Sequence, residues 1–146
     1  MSDLEARAAA YAAFFERMTA DTVGELATLA APEIRFRDPF NDVRGVQHMQ
    51  RCMLAMFADA TDVRFEVMHR ALSGQVAYLR WRFWCKPKRL KLDAPWVIDG
   101  MSEVRFDALG RVAEHLDHWD AGSQFYARLP LVGALIRWLQ RRLKVE

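Results

Sequence analysis

The chain has 146 residues, 52% of them hydrophobic and 12% aromatic, a length and composition that fit one compact domain with a sizeable core and leave no room for a second. No run approaches the roughly 18 uninterrupted apolar residues of a membrane span, and the acidic opening from Ser2 to Glu5 is no secretory leader, so a cytoplasmic protein is expected. The formal charge of +2 comes from the tail, where Arg128, Arg137, Arg141, Arg142 and Lys144 face only Glu146; the body before it is slightly acidic, which excludes a nucleic-acid face spread across the domain.

Ser2 and Glu5 have capping-box spacing, and Leu4, Ala8, Tyr11, Phe14, Phe15 and Met18 recur behind them at helical intervals. Thr22 and Glu25 repeat the box and predict a short second helix through Val23, Leu26, Leu29 and Ala30, ended by Pro32. Residues 33–38 then alternate, with Arg35 and Arg37 on one face and Ile34, Phe36 and Asp38 on the other. A carboxylate on the apolar face is either a desolvated base or the cap of the turn from Pro39 to Gly45. A third helix follows with an apolar, sulfur-rich stripe of Val46, Met49, Cys52, Met53, Met56 and Phe57, and His48 lies off that stripe. Such a stripe is core or an adaptable pocket wall.

From residue 63 the period becomes two. Val63, Phe65 and Val67 form one strand, Ser73 and Gly74 turn it, and Ala77, Leu79, Trp81 and Phe83 alternate with Tyr78, Arg80, Arg82 and Trp84 on the next. A basic loop over 87–94 leads to a strand from about Trp96 to Phe106, and residues 107–110 turn it into the stretch Gly110-Arg-Val-Ala-Glu-His-Leu-Asp-His-Trp-Asp120. There His115, Asp117 and Trp119 share a face, and burying them requires partners or a cavity. A last amphipathic helix, about Pro130 to Leu143, carries Leu131, Val132, Leu135, Ile136, Leu139 and Leu143 opposite Arg137, Gln140, Arg141 and Lys144. It is expected to dock on its own domain through that stripe and Trp138, with the pocket mouth or an anionic membrane surface as alternatives. Residues 1–127 and this tail, 128–146, are read as parts of one domain. Cys52 and Cys85 match no metal or redox spacing and read as free thiols. His115, Asp117 and Asp38 could meet at a metal but lack another good ligand, so neither metal nor cofactor is expected.

Helix, helix, strand, helix, four long strands and a final helix spell an α+β fold. That order, with Phe36-Arg-Asp-Pro-Phe40, Gly45 before the third helix, Val104-Arg-Phe-Asp-Ala-Leu-Gly-Arg-Val112 and Glu114-His-Leu-Asp-His-Trp-Asp120, resembles the nuclear transport factor 2-like superfamily and, within it, the SnoaL-like polyketide cyclase and ketosteroid isomerase branch. The resemblance covers roughly residues 5–120. It implies a cone-shaped, strongly curved, mostly antiparallel sheet wrapped around the three N-terminal helices, with a pocket inside. It also places Asp38 on the isomerase's catalytic base, His115, Asp117 and Trp119 on pocket-facing positions, and Asp117 on the acid/base aspartate of the cyclases. Phe14 then occupies the oxyanion-hole tyrosine position and Ser102 that of the protonated aspartic acid, the two donors central to the isomerase; a steroid isomerase is therefore not the expectation. The candidate set is Asp38, His115 and Asp117 as catalytic groups and Phe14, Phe40, Met53, Trp81, Phe83, Ser102 and Trp119 as pocket lining. The expected activity is isomerisation or cyclisation by proton transfer next to a carbonyl of a small apolar cyclic ligand, the alternative a non-catalytic binding or assembly module. Tyr78 and Trp84, alternating with arginines on the outward face, further predict a homodimer through the sheet.

Overall fold

A computed structural model describes residues 2–146. Its order is α1 (Asp3–Arg17), a short helical turn at Val23–Glu25 continuing into α2 (Leu26–Leu29), β1 (Ala30–Arg37), β2 (Asp42–Arg44), α3 (Val46–Asp59), β3 (Ala60–Ser73), β4 (Val76–Pro87), β5 (Trp96–Phe106), β6 (Val112–His118), α4 (Ala121–Gln124) and α5 (Val132–Leu143). The six strands form one mixed sheet in the order β2-β1-β6-β5-β4-β3. Only β1 and β6 run parallel; the other neighbours are antiparallel. Register shifts interrupt β1 against β6, β3 against β4 and β5 against β6; such irregularities bend strands and add twist, and the sheet curls without closing, as an α+β cone requires.

Local chemistry explains the elements. Ser2 caps α1 with the full reciprocal box to Glu5, whereas Thr22 makes no such cap. Its hydroxyl accepts instead from the Thr19 backbone N–H at 2.8 Å, so the second predicted box is absent and the helix behind it is only four residues long. The chain is already extended at Ala30 and carries Pro32 inside β1, one strand in from the sheet edge formed by β2. Strand β2 lies within the stretch read as a turn: Arg35, Phe36 and Arg37 of β1 pair with Arg44, Val43 and Asp42. An Arg35 fork on the Asp42 carboxylate, at 2.9 and 3.0 Å, fixes it there.

The inner face collects Tyr11, Phe14, Leu26, Ile34, Phe36, Met49, Val104 and Val112, all essentially fully buried. Tyr78 and Trp84 are on the opposite face and half-buried, Trp84 under the Arg64 guanidinium at 4.3 Å from its ring centroid. Helix α5 does not dock through its apolar stripe as expected, since most of that stripe is exposed. The helix does contact the preceding segment, but through Gly133 and polar side chains, leaving Leu135, Trp138, Leu139 and Leu143 exposed. No described helix is long and apolar enough to cross a membrane.

Candidate functional site

Register places the polar groups of the cone side by side. On the inner face His115 lies between Phe36 of β1 and Val104 of β5, and one inward position further along β6 Asp117 lies opposite Ser102. Trp81 pairs with Gly100, two residues from Ser102, so its indole can reach along the strand to the serine. The result is a continuous chain. Trp81 Nε1–H donates to Ser102 Oγ at 2.8 Å, and Ser102 Oγ–H donates to Asp117 Oδ1 at 2.5 Å. His115 Nε2 meets the same Asp117 oxygen at 2.8 Å, and Tyr11 Oη lies 2.7 Å from His115 Nδ1.

The proton positions follow from satisfaction. Tyr11 is fully buried, and burial, with the Asp117 charge behind it, holds its phenol well above its ordinary range. Among the described residues its O–H has no acceptor except His115 Nδ1. The phenol therefore donates, Nδ1 accepts, and the ring hydrogen sits on Nε2, directed at Asp117. Rings of Tyr11, Phe15 and Phe36 surround the imidazole at 5.4–5.7 Å, and their apolar contact strengthens each hydrogen bond of the chain.

Gly100 makes the indole's position possible. A Cβ at that residue would lie 2.4 Å from the Trp81 ring and 2.9 Å from Trp119 Cβ, so only a bare backbone lets Trp81 lie across β5 toward Ser102.

Asp117, His115 and Ser102 border a cavity of about 380 Å³ that is otherwise mostly apolar, with Phe15, Met53, Phe65, Phe83 and Ile98 among its walls. That volume falls in the range of small-molecule sites. Phe40, half-exposed, packs edge-on against Trp119 at 5.7 Å and Phe125 at 5.2 Å, forming an aromatic rim. Asp38 lines the same cavity and also caps its turn. Its Oδ1 accepts from the Phe40 and Asn41 backbone N–H groups at 2.8 and 2.7 Å and from the Asn41 amide at 3.1 Å. Of the two alternatives left open for this residue, the turn cap is formed.

Of the ten candidate residues, Asp38, Phe40, Met53, Trp81, Phe83, Ser102, His115, Asp117 and Trp119 border the cavity. Phe14 does not. It is completely buried in the core beneath the cavity, while Ala12 and Phe15 of the same helix form the wall and Tyr11 reaches His115. Three bulky rings within five residues leave the helical period unable to assign one of them to the pocket. Sequence reasoning also missed the role of Tyr11, for which a tyrosine on an otherwise apolar stripe was the available signal, and the rim residue Phe125. Both thiols, Cys52 and Cys85, border the cavity too; burial pushes Cys85 up to about 11. Among the described residues no group of three or more His, Cys, Asp or Glu side chains is placed to hold a metal ion.

Tyr11 and Cys85 make alkaline stability a direct readout. Both stay protonated in the folded chain at pH values where the unfolded chain ionises, so the unfolded state binds fewer protons and stability falls as pH rises. The loss should begin near pH 9, the ordinary thiol range, and steepen above pH 10 with Tyr11. Urea midpoints measured across that window should fall less steeply for Tyr11→Phe than for the wild type.

Residues 11–115 match the model of the SnoaL-like domain. Among solved structures, an NTF2-like protein of unknown function from Burkholderia pseudomallei K96243 superposes with a TM-score of 0.70 at 14% identity, over 94% of this chain and 97% of the other. A protein with a ketosteroid isomerase-like fold from Catenulispora acidiphila, solved with trimethylamine, gives 0.68 at 14% identity over 81% and 88%. An LEH-like epoxide hydrolase from M. tuberculosis gives 0.65 at 12% identity over 98% and 94%. At these identities the likeness shows the fold alone. No curated protein matches the chain.

Proposed function

Because the chain belongs to the SnoaL-like domain family of the nuclear transport factor 2-like superfamily, we propose that its cone binds a small apolar cyclic ligand and moves a proton at a carbon next to a carbonyl, with Asp117 as the acid/base group. One observation carries this reading. Asp117 Oδ1 is held by His115 and Ser102 inside an apolar cavity, which fixes the carboxylate plane while Oδ2 takes no bond from the described residues. An anchored carboxylate with one free oxygen is the arrangement a positioned base needs.

His115, with both nitrogens engaged, acts as a positioning group for Asp117. Tyr11 orients the imidazole in turn. Asp38 supplies a second carboxylate at the turn leading to the aromatic rim. Phe40, Trp119 and Phe125 offer flat faces to a cyclic ligand.

A second reading is favoured by the completeness of the chain from Trp81 to Tyr11: among the described residues no buried side-chain nitrogen or oxygen lacks a partner, as in a purely structural core. The protein would then capture its ligand without reacting. Native mass spectrometry of the purified protein, followed by NMR of α-proton exchange into deuterated water for the captured compound or for simple cyclic ketones, separates the two. Exchange faster than in buffer supports the enzyme; capture with exchange no faster than in buffer makes it a binder.

A further inference from the structure

Helix α5 is attached to the protein by its wrong side. Gly133, its one buried residue, lies against the Ala127 carbonyl, where a Cβ would come within 2.6 Å. Arg137 donates to that same carbonyl, and Gln140 donates to Ser123 Oγ at 2.9 Å. Polar and small residues thus make the attachment and Ile136 beside them is half-buried, while the rest of the apolar stripe points outward: Leu135 is 57% exposed, Trp138 48% and Leu143 79%, and Val132 and Leu139 are exposed as well.

The joint enforces that orientation. Leu131 has φ +64° and ψ −68°, and the Val132 N–H bonds the Pro130 carbonyl at 2.7 Å. This is a γ-turn of the strained hand, in a residue whose own side chain is 90% exposed.

Charge indicates what covers the stripe. Arg141, Arg142 and Lys144 close the helix, Arg128 precedes it, and Glu146 is the lone acid from residue 128 onward. The Arg142 guanidinium lies 5.5 Å from the Trp138 ring, beside the apolar face. A second copy of this chain would bring two such cationic tails together and be repelled. An anionic bilayer accepts both halves of the surface, leucines and an indole below the headgroups and cations among them. We propose that α5 is an interfacial membrane anchor that docks the protein on anionic lipid.

Flotation of the full-length protein with vesicles tests it. Phosphatidylglycerol-containing vesicles should carry the protein with them, pure phosphatidylcholine vesicles should not, and added salt should weaken the association. Arg141→Gln with Arg142→Gln should lower partitioning by about fivefold for each cation removed. Leu135→Ser with Leu139→Ser, at exposed positions that the fold does not use, should abolish it. Tryptophan emission should shift to the blue on binding, and that shift should disappear in Trp138→Phe. Absence of binding to the anionic vesicles overturns the proposal, as does equal binding by the wild type and both double variants. Sedimentation showing self-association that the leucine variant alone dissolves would assign the stripe to a second copy and overturn it as well.

Discussion

Asp117→Asn is expected to slow α-proton exchange of a bound ketone by roughly a hundred- to ten-thousand-fold, the contribution of a positioned acid/base group, while leaving fold and ligand affinity intact. The amide keeps a carbonyl oxygen where Oδ1 now accepts from His115 and Ser102, so the chain from Trp81 to Tyr11 persists. What changes is the free oxygen, replaced by a group that takes up no proton. Asp38→Asn is the matched control. Its remaining oxygen can still accept from the N–H groups of Phe40 and Asn41, so the turn holds, and the loss should stay below about tenfold if Asp38 is the auxiliary carboxylate. The reverse ranking of the two variants would return the base to Asp38. Equal rates in both variants and the wild type would leave a binding protein.

Phe14→Ala should cost about 3–5 kcal/mol, as expected for emptying a fully packed aromatic site, and lower Tm by roughly 10 °C. Urea unfolding should show a lower midpoint at an unchanged slope. Ligand affinity of the folded fraction should not move, because Phe14 borders the core and not the cavity. Phe15→Ala should behave differently: that ring lines the cavity and packs against His115 at 5.4 Å, so affinity should fall along with stability. A drop in affinity for Phe14→Ala would put that ring back in the pocket.

Those two phenylalanines illustrate what the sequence can and cannot convey. Long strands were legible because residues 63–84 and 96–118 alternate over many positions, and alternation states which side chains share a face: it grouped His115 with Asp117 and Trp119, and Trp81 with Phe83, whereas the side that looks into the pocket and the place of Ser102 came from the family resemblance. Strand β2 was not legible, since three residues, Asp42–Arg44, give no period and its pairing depends on the Arg35 fork across the hairpin. On α1 the apolar arc is wide enough to hold Tyr11, Phe14, Phe15 and Met18 together, and only the direction of the neighbouring sheet decides which ring meets the cavity. The amphipathic character of α5 was equally plain, but which side attaches depends on Gly133, whose missing side chain permits the close approach to Ala127. Patterns of polarity report what a face prefers, and contact geometry decides what it gets.

Position 100 has a bearing on how this domain can diversify. With a bare backbone there, the Trp81 indole rests across β5 and places its N–H on Ser102; with any side chain there, the indole has no room. Residues 81 and 100 are therefore sterically coupled, and a side chain at 100 is compatible with this fold only where the indole at 81 is absent or displaced. Such a descendant would have a serine released from one of its two partners and a cavity reshaped on the β4 side, so two positions, not one, separate the present pocket from one with a differently poised carboxylate.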